Sequence, residues 1–451
     1  MKGSTSGAVW LLVALLGLTA GGAALLSLPA CLPAGERELE YFWARRYWQA
    51  AFDACSAACG AGLLTARFGE EYAPAGRWAL TGIGVLGATL FLALSARPLA
   101  RLLGARLDSR RAVGVLVAAY LGAQLALAAG FGLFEALSDN GSWSAGVWNA
   151  VSAFSSLGWR LQGTPSASPV ALAVASFIGA AGLPWVLAGF GWSGAARRSL
   201  RVVAAYAVFL AGCALLLYLL EWPRGGSAGQ SEFALSDAAA PARCARLATI
   251  TTLASGAGMS SESFAQGALS DASQMVLGLI VLAGGLPGAV GGGIKLPLLL
   301  MALAWLTRRD PDPSQSRSAL ARAAAARLLV CVVALTVVVA LGMLGIERLT
   351  ASRFQAPPTF ADAFLDASSC VGGAALSSGL FETITSRNLV SGLQLGLNQY
   401  QVGMVWLMLA MLAGRVAPVL VLGRIAPPPP AQALEGSVGA RTGMARPTAA
   451  Q

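Results

Sequence analysis

FDACSAACGAGL (Phe52–Leu63), WNAVSAFSSLGW (Trp148–Trp159), ATITTLASGAGM (Ala248–Met259) and LDASSCVGGAAL (Leu365–Leu376) are four versions of one pattern. Laid over one another without gaps, they bring Ser56, Ser152, Thr252 and Ser369 into one column. Six residues later, Gly62, Gly158, Gly258 and Ala375 fall into another. Each stretch lies between long apolar runs and is too short and too polar to cross a bilayer alone. It therefore reads as a helix that enters the membrane, turns and leaves, which is tolerable only inside protein or beside a wet cavity. Small residues at the turn let backbone carbonyls face a common axis.

The flanking runs define the rest of the architecture. The 451 residues are 56% hydrophobic and only 12% charged, against roughly a quarter charged in soluble domains. Spans of about 20 apolar residues are needed to cross a bilayer. They fall near 8–28, 78–97, 112–135, 169–191, 200–221, 273–305, 323–345 and 401–423. The fold class predicted is an all-α membrane protein, with four span–re-entrant pore helix–span repeats (eight transmembrane helices) around a central pore. The repeats occupy 1–110, 111–199, 200–318 and 319–426, and 427–451 forms a flexible tail. The first apolar stretch follows Lys2 and has signal-peptide character, but the repeat needs it as a retained first span.

Charge sets orientation and removes several chemistries. The net charge of +10 comes mostly from Arg. Arg97, Arg101, Arg106, Arg110, Arg111, Arg197, Arg198, Arg201, Arg308, Arg309, Arg317 and Arg322 lie in connections that an eight-span reading puts on one side, with both termini. That side is read as cytoplasmic, and a nucleic-acid partner is not needed to explain the charge. The absence of histidine removes Ser-His and Cys-His nucleophilic pairs and most zinc sites. The seven cysteines lack metal-ligand spacing and read as small apolar fillers, with nothing to select a disulfide. No cofactor is expected.

A short helix pointing inward from outside brings its partially negative C-terminal end to the membrane centre, which favours a cation. Carbonyls beyond that end can replace the hydration shell of a monovalent ion. The residues assigned to such a filter are Cys59, Gly60, Ala61 and Gly62; Ser156, Leu157 and Gly158; Gly256, Ala257 and Gly258; and Gly373, Ala374 and Ala375. No carboxylate occupies these turns, which disfavours a divalent ion. Asp53 and Asp366, nine residues before Gly62 and Ala375, are read as stabilising the outer helix starts. AGGLPGAVGGGIK (Ala283–Lys295) interrupts the sixth span. Gly284, Gly285, Pro287, Gly288, Gly291, Gly292 and Gly293 would unwind it at mid-membrane, just before Lys295. A plain kinked helix packed closely at glycine, with Lys295 simply anchoring the inner half, is the alternative. Arg415 lies inside the last span, where a charge faces a cavity or partner, or snorkels to the headgroups.

The four-unit order, the SA-x-x-x-x-G pattern of the first two segments, the GGGIK ending and the Arg of the last span together resemble the Trk/Ktr/HKT superfamily of potassium transporters. The resemblance runs from about residue 8 to 424, and the span count is similar to the shorter Ktr-type subunit. It implies potassium as the transported ion, a filter at the aligned turns, and an intramembrane gate at Gly284–Lys295 opposed by Arg415. It also implies a homodimer in the cell membrane and a cytoplasmic nucleotide-binding regulatory subunit. Some residues depart from the superfamily's pattern. Ala375 stands in place of the fourth filter Gly, Ser255 in place of an Arg, and Ala289 and Val290 in place of Ser and Thr. About a dozen further residues, Ser386 to Asn398, precede the last span. A Cβ at a filter position with left-handed backbone is expected to cost roughly 1 kcal/mol or more. These departures motivate a second reading, a non-conducting or sodium-passing relative acting as scaffold or sensor. A membrane-embedded enzyme is disfavoured, because Arg415 and Lys295 are the only convincing intramembrane charges.

Overall fold

The computed structural model describes residues 2–32, 43–65, 72–102, 110–138, 141–161, 168–189, 193–221, 240–256, 269–286, 289–307, 317–349, 357–385 and 399–425. All regular structure among them is helical. Long helix, short helix, long helix is the recurring order. The first set is α1 (Lys2–Leu26), α2 (Trp43–Cys59) and α3 (Pro74–Leu102). The second is α4 (Arg110–Ala136), α5 (Trp143–Ser155) and α6 (Pro169–Gly189). The third is α7 (Ser193–Glu221), α8 (Ala240–Gly256) and the pair α9 (Asp271–Ala283) and α10 (Leu296–Thr307). The fourth is α11 (Arg317–Leu349), α12 (Phe360–Gly372), the short α13 (Leu380–Thr385) and α14 (Gln399–Ile425).

Six described helices are long and apolar enough to cross a membrane. The other two expected spans are interrupted, each for a local reason. α6 bends at Gly182, whose φ of 51° and ψ of −132° leave the helical region that only glycine leaves cheaply. The sixth span is two helices separated by the Gly-rich stretch, as its glycine content requires. Leu125, Leu133, Val208, Leu219 and Leu341 are all more than half exposed on the isolated chain. Side chains of this kind along span-length helices need lipid as their solvent.

The short helices sit at the centre. Every α5 residue from Ala145 to Ser155 is buried, as is every α12 residue from Ala361 to Gly372. Close approach to them depends on glycine in the second long helix of a set. A Cβ placed on Gly87 would lie 2.1 Å from the Ala58 carbonyl oxygen. On Gly179 it would lie 2.1 Å from the Phe154 oxygen, and on Gly414 2.1 Å from the Val371 oxygen. Ala58, Phe154 and Val371 each stand two residues after the aligned Ser of their segment. Three helices thus press on equivalent points of three re-entrant helices. Replacing Gly87 by alanine would push α3 off α2, at about 1–3 kcal/mol for overpacking. A lowered thermal midpoint of purified protein in detergent is the expected result.

Only some cysteines are fillers. Cys31, Cys55, Cys59 and Cys370 are buried, Cys213 is half-buried, and Cys244 and Cys331 are exposed on the isolated chain. None of the seven forms a disulfide.

Candidate ion-conduction site

The aligned serines mark one turn built three times. The amide of Ala61 donates to the Ser56 carbonyl at 2.8 Å, Leu157 to Ser152 at 3.0 Å, and Ala374 to Ser369 at 3.0 Å. The residue between helix and limb is left-handed in each case: Gly60 at φ 63°, Ser156 at φ 59° and Gly373 at φ 66°. Glycine takes this conformation freely, whereas Ser156 does so against a cost of roughly 1–2 kcal/mol. Its hydroxyl offsets part of that by donating to the Gly256 carbonyl, across to the third segment.

These turn residues lie side by side. A Cβ on Gly60 would sit 3.7 Å from the Ser156 carbonyl oxygen, and one on Gly373 would sit 3.2 Å from the Gly60 oxygen. Between the third and fourth segments the Gly-rich stretch intervenes. A Cβ on Gly291 would lie 3.0 Å from the Gly256 oxygen, and one on Gly292 would lie 2.3 Å from the Gly372 oxygen. Two residues further along the limbs, Gly62, Gly158 and Ala375 converge. A Cβ on Gly158 would fall 2.0 Å from the Ala375 methyl, and one on Gly62 would fall 2.8 Å from it. Cys59, Ala61, Leu157 and Ala374 are buried between these points. Ala257 and Gly258, assigned to the same filter, lie outside the described residues, as do Pro287 and Gly288 of the Gly-rich stretch.

Two expectations need correction. Ala375 was expected to strain a left-handed backbone, but Gly62 (φ 67°) and Gly158 (φ 78°) are left-handed and Ala375 is not. The fourth limb has changed its path to suit a side chain, so the cost of Ala375 is one of space. Asp53 and Asp366 do not stabilise outer helix starts. Both are fully buried inside their helices and hold the returning limb. The Asp53 carboxylate accepts from the Thr65 amide at 2.8 Å, the Thr65 hydroxyl at 3.0 Å and the Tyr72 hydroxyl at 2.6 Å. Asp366 accepts from the amides of Ser378 at 2.5 Å and Phe381 at 2.7 Å. Asn149, in the same column, accepts from the Leu161 amide at 2.9 Å. In all three segments the first acceptor–amide spacing is 12 residues. Asn149 was readable as the third acceptor in a column three residues before the aligned Ser. The third segment has Thr249 there, and its hydroxyl bonds instead to Ala245 of its own helix.

The Gly-rich stretch is folded back on itself beneath the turns. Leu286 donates to the Ala180 carbonyl at 2.9 Å, Ile294 to Leu282 at 2.8 Å and Leu296 to Gly285 at 3.2 Å. Gly284 and Gly293, at φ 64° and 76°, let the two ends of the stretch touch. Ser255 connects it to α8: its hydroxyl pairs with the Tyr206 hydroxyl at 2.8 Å and donates to the Gly284 carbonyl at 3.3 Å. Arg415 is 2% exposed and does not snorkel. Its guanidinium donates to the Val290 carbonyl and lies 4.0 Å from the centroid of the Phe91 ring. Its Nε and Nη2 have no hydrogen-bond partner. Lys295 is 1% exposed, so it does not anchor the inner half from the headgroups. Phe91 had no signal in the sequence, since only the packing of α3 brings it here.

A buried set of short-helix ends meeting beside an interrupted span defines the class: a polytopic α-helical membrane fold. The chain shares the fold of the potassium transporter TrkH from Vibrio parahaemolyticus, whose crystal structure aligns with a TM-score of 0.64 over 93% of this chain and 85% of that one. At 17% identity the likeness is one of fold. The expected resemblance to the Trk/Ktr/HKT architecture is therefore borne out at that level. No family profile and no curated protein matches the chain by sequence.

Proposed function

We propose that the chain carries a monovalent cation, potassium, into the cell through the point where the four re-entrant segments meet. The observation that carries this reading is the contact of Gly60, Ser156, Gly256 and Gly373 around one centre. Each follows or ends a helix whose C-terminal dipole favours a cation. Backbone carbonyls are the chemistry of this place, and the fold shared with a potassium transporter agrees with it. The limbs from Gly60 to Gly62, Ser156 to Gly158, Gly256 to Gly258 and Gly373 to Ala375 form the filter in this reading. Gly284 to Lys295 forms the gate, and Arg415 faces it. The protein works in the inner (cell) membrane with both termini cytoplasmic. A homodimer bound to a cytoplasmic nucleotide-binding subunit is the proposed assembly, and the reading is of a transporter rather than an enzyme.

The Ala375 methyl, lodged against Gly62 and Gly158, favours a second reading. A side chain at that level narrows the passage, as a non-conducting or sodium-passing relative would require. Expression in cells lacking potassium uptake, with rubidium influx measured at low external potassium and surface expression controlled, tests both. Influx that potassium competes is the expected result. Silence from well-expressed chain and from Ala375→Gly alike would reject conduction through this site; silence relieved by Ala375→Gly would favour the second reading.

A further inference from the structure

One contact is built twice beside the left-handed turns. Ser155 ends α5, three residues after the aligned Ser152, and Ser255 stands three residues after Thr252 in α8. The Ser155 hydroxyl lies 3.2 Å from the Tyr120 hydroxyl of α4 and accepts from the Gln124 side-chain amide at 2.7 Å. The Ser255 hydroxyl lies 2.8 Å from the Tyr206 hydroxyl of α7. All five side chains are buried. The first long helix of each set thus grips the end of its own short helix. The next residues, Ser156 and Gly256, meet across the two sets, where the Ser156 hydroxyl donates to the Gly256 carbonyl. Gly60 and Gly373 occupy the turns that match Ser156, and both are glycine. Serine at φ 59° is strained where glycine is not. Such strain persists where the surrounding contacts over-determine it, and it gathers at functional sites.

We infer that Ser156 determines which monovalent cation the ring of turns prefers, because its hydroxyl occupies the Gly256 carbonyl. The inference rests on the conduction reading, since it names the cation preference of that same site. Gly60, Ser156, Gly256 and Gly373 surround one centre. Carbonyls in such a ring replace an ion's hydration shell, and their number and field strength bear on the choice between potassium and sodium. A carbonyl oxygen has two lone pairs. At Gly256 one of them takes a hydroxyl proton, so this corner offers a cation less than an unbonded carbonyl would. Potassium is the larger ion with the larger shell, and it loses more than sodium when a ligand is withdrawn. Ser156 therefore holds the ring nearer to sodium than four free carbonyls would be. The tyrosine contacts keep the ends of α5 and α8 at the separation that this bond needs.

Ser156→Gly and Ser156→Ala both remove the hydroxyl, but only alanine keeps the left-handed strain. A purely structural serine would leave the glycine variant close to wild type in cation preference and disturb only the alanine variant. The inference expects both to shift together. Two readouts on purified full-length protein decide it. One is rubidium influx into proteoliposomes, competed by potassium or by sodium. The other is the thermal midpoint in detergent, titrated with potassium or sodium chloride while choline chloride holds the ionic strength. A bound ion stabilises the folded chain whether or not it passes through. The potassium-to-sodium ratio of apparent affinities is expected to rise about threefold or more in both variants, the scale of one neutral hydrogen bond. In choline alone, Ser156→Ala should melt below Ser156→Gly. Influx with an unchanged or lowered ratio in both variants overturns the inference and leaves conduction standing. A shift in Ser156→Ala alone makes the serine structural and also overturns it. A raised ratio in the thermal titration, where no protein passes rubidium, supports the inference and rejects conduction. If neither cation moves any midpoint and no influx occurs, both fall. If Ser156→Ala fails to fold, Ser156→Gly decides alone: a raised ratio supports the inference and an unchanged one overturns it.

Discussion

Replacing Asp366 by alanine is expected to abolish cation influx and to destabilise the protein by about 3–5 kcal/mol, read as a large drop in the thermal midpoint of purified chain. The carboxylate is fully buried and takes the amides of Ser378 and Phe381 together with the Ser377 hydroxyl at 3.4 Å. Hydrogen bonds to a charged group contribute about 1.5–3 kcal/mol each, and buried donors left unpaired cost more than the bond itself. Alanine strands several at once. The limb from Gly373 to Ser378 would then lose its tie to α12 and its register against Gly62 and Gly158. Asp366→Asn keeps one acceptor oxygen, as Asn149 does naturally for Leu161, so a loss of about half that size is expected. An Asp366→Ala protein with wild-type midpoint and wild-type influx would show that the limb is held by packing alone. The same replacement at Asp53 should act in the same direction, because Thr65 and Tyr72 depend on it.

The second large effect concerns the point where the limbs converge. Gly158→Ala is expected to remove influx, because the new Cβ would fall 2.0 Å from the Ala375 methyl and 3.3 Å from the Gly62 Cα. Its backbone is also left-handed at φ 78°, which adds roughly 1–2 kcal/mol for a residue with a Cβ. Adding Ala375→Gly removes the clashing methyl and leaves the backbone strain. The double variant should therefore regain part of the lost stability and influx. Interaction energies between contacting residues of this kind are commonly about 0.5–3 kcal/mol. Strict additivity of the two substitutions would show that Gly158 and Ala375 do not meet. Ala375→Gly alone is expected to be mild in stability, since Ala375 is not left-handed. Its effect should fall on which cation passes.

Much of this site was legible before any coordinates. The column of Ser56, Ser152, Thr252 and Ser369 predicted a common turn, and in three segments the same amide closes on the same carbonyl. That worked because the turn is local: a helix end, one small or left-handed residue and a bond five residues back. The interruption of the sixth span was legible for a similar reason, because no helix holds the glycines of 284–293 at mid-membrane. The roles of Asp53 and Asp366 were misread, and both for the same cause. An acidic residue near a helix has a frequent local role. Which role it plays depends on where the next 12 residues return.

Recurrence along the chain was enough to place the helices, the turns and the break in the sixth span, since each of these follows from hydropathy and from which backbones glycine permits. The partners across the centre were decided by tertiary structure alone: Ser156 on Gly256, Ala375 against Gly158, Arg415 and Lys295 on the carbonyls of one loop, and Phe91 beneath both. Apart from Lys295 on its own loop, these contacts join segments far apart in the chain, 100 positions for Ser156 and Gly256 and 125 for Arg415 and Val290. No periodicity encodes them, because they exist only once the short helices have been packed against their neighbours and the buried basic side chains have taken the carbonyls that remained.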